Sequence, residues 1–306
     1  MIKDLKIGTT INTDLLIASV AQAKTKAGKP YETIVFSDST GRISGKLWDL
    51  VKATVPREAG KVVHVIGSVS EYEGNLQLTI DSVSQQISAK TPLDFCMHSL
   101  RPIEKMKEEL LSWVDSIEDD EYRQLTSTIL ARFSEQFLSG SAAKSLHHAT
   151  VGGLVQHTLE TVVCADGMTK AFSGVNHSLV VAAALLHDIG KVQELEPFPK
   201  NIYTPVGSLM GHLVIGAETV DKIGAELGTS EEKLLLLKHC VLAHHGSKEF
   251  GSPVLPAIPE AIIVSMADNT SARVQHYFEE TESLEPGQLA GSMDWMLGTA
   301  LYKPTI

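Results

Sequence analysis

Val180-Val181-Ala182-Ala183-Ala184-Leu185-Leu186-His187-Asp188-Ile189-Gly190-Lys191 is an apolar run that ends abruptly in an imidazole, a carboxylate and an ammonium. A helix that is apolar all round belongs inside a protein, so this one would carry His187 and Asp188 to the floor of a bundle. A buried carboxylate is costly unless something satisfies it. A divalent cation does that, and four more patches of metal-ligand residues in apolar surroundings point the same way: His157, His212, His244-His245 and Asp268.

Nine of the twelve histidines fall between His147 and His245, a clustering that suggests metal. Imidazole with carboxylate suits Mn²⁺, Fe²⁺, Co²⁺ or Zn²⁺, whereas Mg²⁺ favours oxygen almost alone. One carboxylate can bridge two cations, and Asp188 is the candidate bridge. Two ions roughly 3.5–4 Å apart can hold a hydroxide between them and neutralise a phosphoryl group under attack. Lys191, three residues beyond Asp188, is about one helical turn away and is placed to offer an ammonium to a phosphate oxygen.

Each residue also has an ordinary reading. His157 and His212 fit hydrogen-bonded core histidines, Asp268 a helix-end cap, and Lys191 a surface lysine. His177, His239 and His276 read as ordinary, as do His147-His148, although that pair lies upstream of the Gly152-Gly153 turn and could face a cleft. The constellation carries the inference.

Working outward, the chain of 306 residues is 43% hydrophobic and 21% charged, enough for one large or two ordinary globular domains. Its longest nearly apolar run, Ser178 to Leu186, is too short to cross ~30 Å of hydrocarbon, and the N-terminus lacks a signal peptide's apolar stretch. A cytoplasmic location without membrane contact is expected. Cys96, Cys164 and Cys240 form no C-x-x-C pair and read as buried small hydrophobes rather than disulfides or a zinc site. The net charge of −11 is uneven: +2 over residues 1–90 and −13 over the remainder. A polyanion would meet the N-terminal part with less repulsion.

That N-terminal part reads as five short strands. They are Leu15 to Val20, Thr33 to Phe36, Ile43 to Trp48, Val62 to Val69 and Leu76 to Ile80, with Glu73-Gly74-Asn75 as a hairpin turn. Five strands in ninety residues suit a small closed barrel. The polar segment from Ser84 to Thr91 reads as a linker. Beyond it the period becomes helical, and helices are expected from Pro102, over 122–137, 153–169, 179–187, 211–227, 231–243 and 260–278, an all-α second part.

At His187-Asp188-Ile189-Gly190-Lys191 the sequence resembles the HD superfamily of metal-dependent phosphohydrolases. The closer resemblance is to the YhaM-type 3′→5′ exoribonucleases of bacteria, which join an N-terminal OB-fold to a C-terminal HD domain. The segments that carry it are 147–158, 184–191, Gly211 to Gly216, His244-His245-Gly246, Glu249-Phe250-Gly251-Ser252-Pro253 and Ala267-Asp268-Asn269. The Gly-Tyr-Pro signature of cyclic-di-GMP phosphodiesterases is absent after His244-His245, and the Glu-Asp pair of alarmone hydrolases does not follow His187-Asp188.

The resemblance implies an OB-fold over 1–86, a helical connector over 87–140 and an HD domain over 141–306. It implies His157, His187, Asp188 and Asp268 as ligands of one ion and Asp188, His212, His244 and His245 as ligands of a second, with Asp188 and Lys191 catalytic. OB-folds bind single strands by stacking bases on aromatics and tracking phosphates with basic groups. Here Tyr31, Trp48 and Tyr72, with Arg42 and Lys46, are available, while Phe36 reads as core.

The activity expected is metal-dependent 3′→5′ exonucleolysis of single-stranded RNA, with single-stranded DNA as a second candidate, releasing nucleoside 5′-monophosphates; homo-oligomerisation is left open. A phosphohydrolase for a small nucleotide is the runner-up. A nucleic-acid-binding protein with a vestigial HD domain is the rival from another class, and the intact ligand set argues against it.

Overall fold

The computed structural model describes residues 1–144 and 149–306. Two compact units emerge, Met1–His98 with Glu196–Ile202, and Ser99–Leu195 with Tyr203–Ile306. The stretch 87–140, expected as a connector, is divided: residues up to His98 go with the first unit and the helices after it with the second.

The first unit is a closed barrel of β1 (Thr10–Lys24), β2 (Pro30–Asp38), β3 (Gly41–Leu47), β4 (Val62–Tyr72) and β5 (Asn75–Gln85), in the order β1-β2-β3-β5-β4. This is the OB-fold expected. All pairings are antiparallel except β3 with β5. The fifteen residues of β1 serve two neighbours, Thr10 to Leu16 facing β4 and Leu16 to Lys24 facing β2, and a bulge between Ile17 and Ser19 bends the strand around the barrel. That irregularity lets Leu15, Leu16 and Ile17 all be buried, where strict alternation would expose one. Elsewhere alternation holds: on β3, Ile43, Gly45 and Leu47 point inward while Arg42, Ser44 and Lys46 occupy the other face. The β4–β5 turn is two residues long, and both Glu73 (φ +50°) and Gly74 (φ +80°) take the positive φ that such a turn requires.

The second unit contains α1 (Ile103–Asp115), α2 (Asp120–Arg132), α3 (Ser134–Ser139), α4 (Gly153–Thr169), α5 (His177–Leu186), α6 (Lys191–Glu194), α7 (Pro205–Leu227), α8 (Glu231–Ala243) and α9 (Pro259–Thr281). Every residue of α5 from Ser178 to Leu186 is buried, so this apolar run lies inside the core of the unit. Its last turn delivers His187 and Asp188 to the interior.

Three local readings change. The segment 122–137 is two helices, because Phe133 (φ −111°, ψ 19°) interrupts it. Helix α7 begins at Pro205, capped by Thr204 Oγ1 accepting from the Gly207 amide at 2.9 Å, and Gly211 (φ +71°, ψ 156°) breaks it at the point where the sequence suggested a start. The unit is also not wholly helical: β6 (Leu289–Met293) pairs antiparallel with β7 (Ala300–Tyr302). β6 is almost entirely exposed and has no apolar alternation to betray it. Polar bonds to α9 tie this hairpin down, His276 Nε2 to Asp294 Oδ2 at 2.7 Å and Tyr277 Oη donating to the Tyr302 carbonyl at 2.6 Å. No helix among the described residues is long and apolar enough to cross a membrane.

Candidate metal centre

The seven residues singled out in the sequence come from five places in the chain and converge. α4 supplies His157, the end of α5 supplies His187 and Asp188, α7 supplies His212 just after its break, the end of α8 supplies His244-His245, and α9 supplies Asp268.

Within this cluster the Asp188 carboxylate divides its oxygens. Oδ2 lies 3.4 Å from His187 Nε2 and 3.6 Å from His157 Nε2, whereas Oδ1 lies 3.5 Å from His212 Nε2 and 3.6 Å from His244 Nε2. Asp268 Oδ1 sits on the first side, 3.1 Å from His157 Nε2. His245 sits on the second, its Nε2 3.2 Å from that of His212. Two donor groups therefore form, His157, His187 and Asp268 on one side and His212, His244 and His245 on the other, with one carboxylate between them.

All five imidazoles point Nε2 into the cluster because their Nδ1 atoms are engaged elsewhere. His187 donates to the Ala184 carbonyl at 2.8 Å, His244 to Val241 at 2.7 Å and His245 to Phe250 at 2.7 Å. His212 Nδ1 donates to Glu194 Oε1 at 3.0 Å, and that same oxygen accepts from the His212 amide. His157 Nδ1 donates to Ser271 Oγ at 3.0 Å, since that hydroxyl gives its own proton to Glu160 Oε2 at 2.8 Å. Carbonyl and carboxylate partners fix the proton on Nδ1 and leave the Nε2 lone pair for a cation.

Electrostatics agree. Burial pushes the His244 pKa down to about 4 and lowers that of His157 despite the Asp268 carboxylate beside it. Burial also opposes the charges of Asp188 and Asp268. It is outweighed by Lys191 and His187 around Asp188 and by His157 and His244 around Asp268, and both carboxyls stay far below the usual range. His187 moves the other way, because the adjacent Asp188 charge overcomes its burial. Protons and divalent cations are thus alternative partners for these carboxylates. Asp188 Oδ1 is buried with no hydrogen-bond partner among the described residues, an atom that a bound cation would satisfy. The donor set and its orientation fit first-row divalent metals.

Lys191 Nζ donates to Asp188 Oδ2 at 2.6 Å, and its side chain is 15% exposed against 2% for Asp188. Glu194, Glu160 and Ser271, which orient two of these imidazoles, were not singled out in the sequence. Each had one available signal: Glu160 and Ser271 lie three residues after His157 and Asp268, and Glu194 three after Lys191, the spacing that keeps side chains on one helix face. The pair His147-His148 lies outside the described residues.

On the barrel, Tyr31 and Trp48 are packed ring on ring, centroids 4.7 Å apart and planes tilted by 33°. Lys46 Nζ lies 5.3 Å from the Tyr31 ring centre and donates to Thr33 Oγ1 at 2.6 Å. Trp48 is 45% exposed. Tyr72 is exposed at the β4–β5 hairpin tip. Arg42 shares the outer face of β3 with Lys46 but stands four residues, ~13 Å, along the strand. It is partly buried, and desolvation lowers its pKa. Phe36 is wholly core, as expected.

A family model described as the HD domain matches residues 154–273, a span that contains all seven clustered residues. Over 99% of this chain and 97% of its own length, a 3′-5′ exoribonuclease YhaM from Listeria welshimeri is 32% identical. The chain belongs to the YhaM exoribonuclease family. The YhaM protein of Halalkalibacterium halodurans is likewise 32% identical, over 98% of this chain and 94% of its own. That of a Geobacillus species is 30% identical over 98% and 93%. Among solved structures, the second OB-fold domain of replication protein A from Methanococcus maripaludis matches 29% of this chain and 96% of its own, at 18% identity and a TM-score of 0.24.

Proposed function

We propose that this protein is a metal-dependent 3′→5′ exoribonuclease of the cytoplasm that removes nucleoside 5′-monophosphates from single-stranded RNA and accepts single-stranded DNA as a second substrate. The observation that carries it is the split Asp188 carboxylate, one oxygen toward each histidine group, in a chain that aligns end to end with YhaM exoribonucleases. His157, His187, Asp188 and Asp268 would hold one divalent ion, and Asp188, His212, His244 and His245 a second, drawn from Mn, Co, Fe or Zn. Bound there, such ions supply Lewis acidity to a phosphoryl oxygen and acidify the attacking water.

The chain's own residues do the rest. Glu194, Ser271 with Glu160, and three backbone carbonyls lock the imidazoles in one tautomer and one orientation, so no reorganisation is needed during reaction. Lys191, anchored on Asp188 yet partly open to solvent, offers its ammonium to the phosphodiester nearest the 3′ end, where the 3′-oxygen of the penultimate nucleotide leaves. The barrel, with its Tyr31–Trp48 stack and Lys46, gives upstream nucleotides a surface for stacking and charge contact. Metal-supplemented digestion of one 5′-end-labelled RNA and the matching DNA tests the reading: a ladder shortening from the 3′ end is expected. A single internal cut, or hydrolysis of small nucleotides alone, would overturn it.

A further inference from the structure

The metal centre is not evenly enclosed. His187, Asp188, His244 and His157 are buried almost completely, while the side chains of His212, Lys191 and Asp268 keep between 13% and 16% of their exposure and His245 is also partly open. Substrate must therefore enter on the side of these more open groups. Close in sequence to the two partly open histidines, apolar side chains are exposed: Leu209 and Met210 immediately precede Gly211-His212, and Phe250, five residues after His245, is 73% exposed.

Phe250 is held there by its backbone. Its carbonyl accepts the Nδ1 proton of His245 at 2.7 Å, its amide closes a short turn onto the Ser247 carbonyl at 3.2 Å, and Gly251 (φ +93°) ends that turn. One imidazole and one hydrogen bond therefore separate the Phe250 backbone from the cation-facing Nε2 of His245. A lone exposed phenylalanine on a surface needs no explanation. One whose backbone carbonyl orients the partly open His245 does.

We propose that the Phe250 ring is the platform on which the 3′-terminal base stacks, setting the terminal phosphodiester against the metal centre. This rests on the exonuclease reading above. Stacking on a ring tolerates every base, as trimming of arbitrary sequence requires. The backbone carbonyl would hold His245 whatever the side chain, so Phe250→Ala removes the platform and leaves the ligand's partner in place.

The test compares native protein, Phe250→Ala and Phe250→Trp on two single-stranded RNAs that differ only in whether the 3′-terminal nucleotide carries a base, with metal content measured alongside. With the ordinary end, Phe250→Ala should raise KM about tenfold and Phe250→Trp should restore it. With the abasic end, native and Phe250→Ala should perform alike, and metal content should be equal in all three. Equal losses on both RNAs, a fall in metal content, or no loss on either would overturn the platform while leaving the exonuclease reading standing. Native protein that trims neither RNA would overturn that reading and the platform with it.

Discussion

Lys191 Nζ and Asp188 Oδ2 are 2.6 Å apart, so the cation that the chain itself provides sits on one oxygen of the carboxylate between the two histidine groups while the other oxygen has no hydrogen-bond partner among the described residues. The two residues should separate experimentally. Asp188→Ala removes donors from both histidine groups and should abolish metal content by elemental analysis together with activity. Lys191→Ala should keep its metal, because it supplies no donor atom to a cation, and should lose on the order of 10²-fold in kcat, the usual scale for one electrostatic stabiliser. Normal turnover would return Lys191 to the role of a plain counter-charge.

The relay Glu160–Ser271–His157 gives a second prediction. Ser271 Oγ links His157 Nδ1 to the Glu160 carboxylate, accepting from one at 3.0 Å and donating to the other at 2.8 Å. Ser271→Ala leaves the seven clustered side chains in place but frees the His157 ring to turn or change tautomer. Metal affinity, read by competition with a chelator, should fall roughly 10- to 100-fold. Glu160→Gln, which still accepts a hydrogen bond, should fall less.

How much of this was legible beforehand follows from the type of signal each feature leaves. The clustered histidines and aspartates were legible because a polar residue inside an apolar helix is conspicuous, and the barrel strands because alternation marks them. The groups behind them were not. Ala184, Val241 and Phe250 contribute backbone carbonyls, which have no residue identity, and Glu194 and Glu160 look like ordinary helix glutamates until the fold brings His212 and Ser271 to them. The ion pair of buried Glu32 with Arg57 was equally silent, since its partners are 25 residues apart and the pairing depends on barrel closure. Strand β6 escaped because its residues are exposed on both faces.

Gly190 stands between Asp188 and Lys191 for a reason other than backbone freedom, its φ being an ordinary −61°. A Cβ there would lie 2.0 Å from the His212 carbonyl oxygen and 2.8 Å from the Gly216 amide nitrogen, both backbone atoms of α7. Neither can step aside without moving His212. Gly190→Ala should therefore lower the thermal midpoint by several degrees, from an overpacking cost of about 3 kcal/mol, and should weaken metal binding in the protein that still folds. An unchanged midpoint would mean that α7 shifts freely.

In the barrel, the Asp14 side chain is largely buried and accepts from the Ile87 and Ser88 amides, just beyond the end of β5, and from His64. Burial opposes its charge, but the bonds from Ser88, His64 and Ile87 prevail and hold its pKa at about 2, against 3.8 ordinarily. A carboxyl whose folded pKa is depressed stabilises above its unfolded value and loses that contribution as pH falls through the folded one. Asp14→Asn should thus cost about 2 kcal/mol at pH 7, and its gap from the native protein should close between about pH 4 and pH 2. Denaturant titrations across that range would show it, and a gap independent of pH would assign the loss to packing.

Nucleic-acid contact on the barrel divides the five candidate residues by their surroundings. Trp48 is exposed and already packed against Tyr31, with the Lys46 ammonium over the same ring system, so a base can stack there beside a positive charge. Arg42 pays for partial burial with a lowered pKa and stands apart from that stack, which suits a role in holding the barrel better than one in tracking phosphates. Trp48→Ala should therefore weaken oligonucleotide binding by ~1–3 kcal/mol with little dependence on salt, the signature of lost stacking. Lys46→Ala should weaken it less at moderate salt but flatten the dependence of log Kd on log salt by about one unit, the signature of one lost phosphate contact. Arg42→Ala should leave both affinity and salt slope nearly unchanged and instead lower the unfolding midpoint. Fluorescence anisotropy with a labelled single strand at several salt concentrations, run beside thermal melts, separates the three. An Arg42 variant that melts normally but binds with a flattened salt slope would move the phosphate track to the other end of β3.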